Sequence, residues 1–450
     1  MSSPMNRKKF EDQARLVAYN AISAVNRDGA YANIKLPDLL AASDLSEQDR
    51  AWVTEAVYGT LRMQGKHDYF LGLLCERGLD TVNPAVLDIL RLGMHQLFEM
   101  RTPDHAAVSA TVALTRYIVG ESPTSFVNGV LRNAIRRREE FESAQLPLHI
   151  QHSHPEWVVS AYRAALKDED RLTALLASNN IPTKPHIVAW PGKSDREELI
   201  SHGGEEIPTT QFGVFASKTP HSYPAIRERR AGVQDRGSQT ISEIFVNTGK
   251  LNSVDTPLHW LDMCAGPGGK AALVFNSLHT YRPSDSFLAN EPTEHRAELV
   301  AQVVPAEFVH IGRGQDLVER GEKFDRIMID APCSGLGSLR RRPESRWRKS
   351  PSDVKELVTI QRELLDAGAE LLTVDGILAY VTCSPHNAET RAQVADFLYR
   401  NKEWELISAE PFLSDAMLSE GYLQPDGAVQ MWTDLHGSDA MYMALLRRKQ

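Results

Sequence analysis

The sequence predicts a multidomain chain, all-α in its N-terminal part and a parallel, doubly wound α/β domain in its C-terminal part. Three observations predict this. Apolar residues recur three and four apart through residues 1–145, short apolar runs alternate with helical stretches from about residue 231, and 450 residues exceed one ordinary compact core. The balance of 50 Lys+Arg against 59 Asp+Glu, net −9, excludes a histone-like, wholly basic binder of nucleic acid. Only four cysteines occur (Cys75, Cys264, Cys333 and Cys383), with no CxxC pair, so neither a disulfide framework nor a cysteine zinc site is expected. The fifteen histidines show no ligand spacing, and no metal is expected. Uninterrupted apolar runs stay short of the ~18 residues of a membrane span. Residues Met1–Lys9 lead into Phe10-Glu11-Asp12 rather than an apolar stretch, which does not fit a signal peptide. The expectation is a reduced, cytoplasmic, monomeric protein.

Within residues 1–145 the clearest helix runs from Val86 to Phe98, with Asn83-Pro84 ahead of it as N-cap and first-turn proline. Similar stretches cover Ala14–Val25, Asp49–Leu61, Ala106–Ile118 and Ser125–Arg138, the last ending in three arginines suited to a helix C-terminus. Residues 146–230 form an intermediate α+β region, with one helix expected over Trp157–Leu176 and an extended segment over Pro182–Trp190. From 231 to 450, strands are expected at His259-Trp260-Leu261, Phe287–Ala289, Phe308–Ile311, Arg326–Ile329 and Ile377–Val381, with a helix over Asp353–Leu372. Two late runs, Ala428–Trp432 and Met441–Leu446, read as an antiparallel pair closing one sheet edge.

Three motifs carry chemistry. In Leu261-Asp262-Met263-Cys264-Ala265-Gly266-Pro267-Gly268-Gly269-Lys270-Ala271 a strand passes into a helix through glycines, which let backbone approach a nucleoside cofactor closely. A P-loop does not fit, although Gly266-x-Gly268-x-x-Ala271 also fits a dinucleotide turn. Glu291, at the end of the next strand, stands where a carboxylate binds ribose hydroxyls. Asp330-Ala331-Pro332-Cys333-Ser334-Gly335 and Thr382-Cys383-Ser384-Pro385 each follow a strand, so both thiols should face the crevice at the carboxyl ends of the sheet. Together they suggest a thiolate nucleophile and a helper.

These motifs resemble the paired cysteines of RNA 5-methylcytosine methyltransferases, and with Cys264–Lys270 the chain is similar to the RsmB/Sun family, which modifies 16S ribosomal RNA. Tyr58–Arg62, Leu90–Leu97 and Phe126–Arg132 resemble that family's NusB-like helical domain. The resemblance implies a NusB-like RNA-binding domain at 1–145 and a Rossmann-like, S-adenosylmethionine-dependent methyltransferase domain at 231–450. It makes Cys383 the nucleophile that adds to cytosine C6, Cys333 the assistant in proton removal or release, and Asp330 the partner of the N3/N4 edge. The cofactor would be held by Cys264, Ala265, Gly266, Pro267, Gly268, Gly269, Lys270, Glu291 and Asp330. Where the family carries an acid after its third strand, Gly312-Arg313-Gly314 has Arg313, leaving Asp316 as the carboxylate to replace it.

A helix N-terminus after Cys383 and nearby positive charge should favour its thiolate. The run Arg340-Arg341-Arg342-Pro343-Glu344-Ser345-Arg346-Trp347-Arg348-Lys349 sets six cations and one acid around a tryptophan. It is suited to phosphates and an unpaired base, so Arg340, Arg341, Arg342, Arg346, Trp347 and Arg348 are the candidate RNA contacts. The target cytosine should be single-stranded or flipped out. Other readings are a tRNA cytosine-C5 methyltransferase, a non-catalytic NusB-type assembly factor, and an NAD-dependent oxidoreductase; the last leaves both thiols unexplained.

Overall fold

A computed structural model describes residues 10–449, so the signal-peptide reading of Met1–Lys9 lies outside the described residues. The chain divides into two compact units, and each takes more than one stretch of sequence. The first comprises residues 1–160, 179–181 and 339–348; the second holds 161–178, 182–338 and 349–450.

The first unit is helical, with its expected helices at Gln13–Arg27, Glu47–Arg62, Pro84–Phe98, Asp104–Ile118 and Thr124–Arg136, plus Gln64–Leu74 between them. Pro84–Phe98 is central: Ile89 and Leu92 enter one apolar cluster with Ile22 and Val57, and Leu90 and Met94 enter another with Leu71 and Leu131. Its start follows from the sequence, because the Asn83 side chain accepts the Ala85 N–H at 2.9 Å and Pro84 needs no N–H partner.

Residues 339–348 do not form the open arginine strip that the sequence suggests: Arg340 and Arg346 are buried, whereas Arg341, Arg342, Trp347 and Arg348 are partly exposed. Arg346 is fully buried, and its guanidinium donates to Ser153 O at 2.8 Å, Asn180 Oδ1 at 2.9 Å and, more weakly, Arg62 O. Arg348 donates to Val25 O at 2.8 Å, Gly29 O at 3.1 Å and Ala30 O, closing the end of helix Gln13–Arg27, and lies 4.9 Å from the Tyr31 ring. Glu344 accepts the Ala32 N–H at 3.1 Å, Arg340 is buried, and Trp347 packs on Gly65, where a Cβ would lie 2.4 Å from its ring. Helix-end carbonyls are strong acceptors with no intrahelical partner, so these cations serve the interior of the unit.

In the second unit, residues 161–233 depart from the sequence reading. The single helix expected over Trp157–Leu176 is two, Glu156–Leu166 and Glu169–Ser178, interrupted where Lys167 takes a φ of +55°. The extended segment is β1 (His186–Ala189), joined by β2 (Gly204–Glu206), β3 (Gly213–Ala216) and β4 (Ala231–Val233) in an antiparallel sheet of order β2-β3-β1-β4. Ile187, Ala189 and Val214 share an apolar cluster with Ala272 and Leu273 of helix Gly269–Tyr281. This packing groups the intermediate region with the α/β part.

The main sheet contains β5 (His259–Asp262), β6 (Ser286–Glu291), β7 (Val309–Ile311), β8 (Phe324–Asp330), β9 (Leu372–Thr382), β10 (Trp404–Ile407), β11 (Val429–Gln430) and β12 (Tyr442–Arg448). Its order is β10-β12-β9-β8-β5-β6-β7, with β5 to β9 parallel and β11 paired to β12. The late antiparallel pair exists, but β12 lies inside the sheet between β9 and β10, so β10 closes the edge. Strand order reverses between β5 and β8, the position where open α/β sheets leave a crevice. Among the described residues no helix is long and apolar enough to cross a membrane.

Arg346→Ala should lower stability by about 2–4 kcal/mol in urea unfolding, because it removes the donor of carbonyls in the interior. A change of only about 0.5 kcal/mol, typical of a surface residue, would contradict the interior role.

Candidate active site

A cleft of about 350 Å³ opens at the carboxyl ends of β5, β6 and β8, lined by Cys264, Glu291, Arg296, Asp330, Ile360 and Glu363 among others. The glycine turn forms one wall. Gly266 N–H donates to Glu291 Oε2 at 3.1 Å, and Glu291 Oε1 accepts the Thr293 N–H at 3.0 Å. A Cβ on Gly266 would meet Glu291 Oε2 at 2.3 Å, so any side chain there would push the Glu291 carboxylate out of place. Gly268, at φ +107°, precedes helix Gly269–Tyr281 and has Val303 and the backbone at Val300 close behind it. A carboxylate at a strand end, a helix N-terminus and a cleft of this volume fit a nucleoside cofactor bearing an amino acid tail.

The reactive groups stand beside this cleft. Lys270 Nζ donates to Asp330 Oδ2 at 2.7 Å. Asp262, at the end of β5, is buried; its Oδ1 lies 3.4 Å from Cys264 N and its Oδ2 has no hydrogen-bond partner. Burial, followed by the charge of Asp330, pushes its carboxyl up to about 7. The Cys333 and Cys383 Sγ atoms are 3.3 Å apart. A hydrogen bond from the Cys333 thiol is the main cause that holds Cys383 below the ordinary thiol value, and the Lys270 charge acts the same way against burial and Asp330. The same bond, then burial, drives Cys333 well up. The two thiols are thus pushed in opposite directions, Cys383 down and Cys333 up.

The family profile described as "16S rRNA methyltransferase RsmB/F" matches residues 250–447, and a NusB family profile matches residues 12–136. A protein of Mycobacterium tuberculosis named as a putative methyltransferase is 39% identical over 98% of both chains. The chain belongs to the RsmB/F methyltransferase family. A Bacillus subtilis protein named as a probable ribosomal RNA small subunit methyltransferase B is 28% identical over 97% of this chain and 98% of its own. Among solved structures, PH0851 superposes with a TM-score of 0.78 at 18% identity, covering 98% of this chain and 100% of that one. NSun6 from Pyrococcus horikoshii, solved with SFG, gives 0.53 at 15% identity over 66% of this chain and 98% of that one. Both likenesses concern the fold.

As an RsmB/F member the chain is an S-adenosylmethionine-dependent methyltransferase. Of the residues expected at its cofactor site, Cys264, Glu291 and Asp330 line the cleft, while Ala265, Gly266, Pro267, Gly268 and Gly269 form the turn beside it. Lys270 is turned to Asp330. Asp316 does not line the cleft; its carboxylate accepts the Arg313 N–H at 3.0 Å, a local turn bond, so it does not replace the missing acid. Arg313, Gln315 and Glu363 occupy that wall. Cys264 is pushed well up by burial and by Asp262, which fits an inert thiol. The helix N-terminus expected behind Cys383 is absent as well: a short turn at Asn387–Glu389 follows, and the next helix begins at Arg391. The Cys333 bond takes that role.

Sequence reasoning misses Arg296, Ile360 and Glu363 in the cleft, and Glu389 behind the cysteines. Ile360 and Glu363 are three apart on helix Pro351–Leu371, which places them on one face, but nothing in their spacing says that the face meets a ligand. Among the described residues no group of three His, Cys, Asp or Glu side chains is placed to hold a metal.

Gly266→Ala should weaken S-adenosylmethionine binding at least tenfold in calorimetry, with the fold intact by circular dichroism. Asp262 yields a pH prediction. Its folded value, about 7 against an ordinary 3.8, means its contribution to stability is full below pH 4 and is lost as pH rises to 7. Asp262→Asn should therefore stabilise the protein by about 1–3 kcal/mol more at pH 8 than at pH 4 in urea unfolding.

Proposed function

We propose that the protein methylates C5 of cytosine in RNA, with small-subunit (16S) ribosomal RNA as substrate, through a covalent bond between Cys383 and cytosine C6. The observation that carries this reading is the thiol pair, 3.3 Å apart at the ends of adjacent parallel strands and beside the cofactor cleft. A methyltransferase acting on nitrogen or oxygen has no use for two thiols of opposite character. Cytosine C5 does, because it becomes nucleophilic only when a thiolate has added at C6 and broken the ring's conjugation.

Cys383 carries the negative charge and attacks C6. Asp330 accepts from the cytosine N4 amine, and Lys270, 2.7 Å from Asp330, offsets the charge that builds on the ring. When bound, S-adenosylmethionine would supply an electrophilic methyl group, its sulfonium–methyl bond breaking to leave S-adenosylhomocysteine as the C5–methyl bond forms. The C5 proton then passes to water, the C6–S bond breaks, and Cys383 leaves as a thiolate that the Cys333 thiol stabilises by hydrogen bonding. Since a base inside a duplex is out of reach of Cys383, the target is unpaired or flipped out. The substrate assignment rests on the family description and on the names of the relatives.

Cys383→Ala should abolish methyl transfer, whereas Cys333→Ala should accumulate an RNA–protein adduct seen as a retarded band on a denaturing gel. Bisulfite sequencing of ribosomal and transfer RNA from a deletion strain should show one lost 5-methylcytosine in 16S ribosomal RNA. A loss confined to transfer RNA would move the substrate, and absence of the band would remove Cys333 from release.

A further inference from the structure

Glu389 is a fully buried carboxylate that the proposed chemistry does not use. One oxygen accepts the Ser334 N–H at 2.7 Å and lies 3.3 Å from Gln361 Nε2; the other accepts the Ser334 hydroxyl at 2.5 Å and the Ser384 hydroxyl at 2.7 Å. Ser334 directly follows Cys333, and Ser384 directly follows Cys383. Their hydroxyl oxygens are 3.0 Å apart. The surroundings are tied in turn: Gln361 donates to Pro332 O at 2.9 Å, and the Tyr380 hydroxyl, 2.8 Å from Glu389 O, also lies 3.1 Å from Gln361 Oε1. One carboxylate therefore joins the turns after β8 and β9 from behind, adding to the thiol–thiol contact, the Ser334–Ser384 contact and the Gly337 N–H bond to Cys383 O at 2.9 Å.

Burying a carboxylate is costly, and an apolar side chain would fill the space at least as stably. What an apolar side chain could not do is dictate the geometry of two backbone turns at once. We propose that Glu389 is a positioning residue that clamps the Cys333 and Cys383 turns together, so that the Cys333 thiol stays a hydrogen-bond donor to Cys383. This rests on the reading of Cys383 as nucleophile and Cys333 as helper. The charge of Glu389 has a second effect: after Cys383 and burial, it adds to the rise of Cys333 and keeps that thiol protonated.

The test uses the full chain carrying Glu389→Gln, which preserves shape but presents an amide to the two hydroxyls. Iodoacetamide alkylation of Cys383 is followed from pH 6 to 10 by peptide mass spectrometry, with S-adenosylmethionine binding as the check on folding. The expected result is a midpoint about one pH unit higher, hence about tenfold slower alkylation near neutrality, with cofactor affinity within about twofold of the parent. Cys333→Ala should raise the midpoint similarly, and the double variant should add nothing, because Glu389 acts through Cys333. An unchanged Cys383 profile, or fully additive shifts, overturns the proposal. Should Glu389→Gln lose cofactor binding, Ser384→Ala removes one arm of the clamp; a smaller upward shift supports it and no shift overturns it. Failure of the catalytic reading shows separately, as no RNA adduct with Cys333→Ala while the alkylation series keeps its pattern.

Discussion

The parallel register of β8 and β9 is the constraint on which the reactive centre depends. Asp330 stands opposite Val381, so the two strands end almost level and release their turns at the same height. A slip of one residue would displace one turn along its strand by about 3.3 Å and turn its side chains to the opposite face. A thiol–thiol hydrogen bond tolerates much less. Register is held by burial: Ile327, Ile329, Leu378 and Tyr380 occupy one apolar cluster, and Met328, Ala379 and Val381 another. The core of the sheet thus decides chemistry at its end.

Around that centre, charges of both signs lie close together. Asp262, Asp330 and Glu291 gather on the strand ends, and Lys270 and Arg296 answer them. This arrangement assigns protons unequally. Burial pushes Asp262 and Cys264 up, whereas the hydrogen bond with Cys333, helped by Lys270, holds Cys383 down. Burial decides the first two groups, and a hydrogen bond decides the third.

Much of this is legible in the sequence, because the signals are local. The five parallel strands appear as short apolar runs, the cofactor turn as glycines between strand and helix, and the cysteines as Pro-bearing turns after strands. What is not legible depends on distant partners. Strands β2 to β4 are three or four residues long, and Gly204-Glu205-Glu206 carries no apolar alternation to announce a strand. The inward tie of Arg346 and Arg348 is hidden for a related reason. The run has the composition of a phosphate-binding loop, and only the carbonyls of Val25, Gly29, Ala30, Arg62 and Ser153, all far away in sequence, hold these two side chains. Glu389 is hidden likewise, being an ordinary acid in a short turn until Ser334 and Ser384 are seen on either side of it.

The small antiparallel sheet has a practical meaning for anyone dividing this protein. Ile187, Ala189 and Val214 cover Ala272 and Leu273, on the helix that the glycine turn opens. A fragment cut at the composition change near residue 231 would leave that helix with a bare apolar flank at the place where its orientation matters most. A fragment that keeps this packing therefore has to begin upstream of β1, earlier in the chain than the change of sequence pattern.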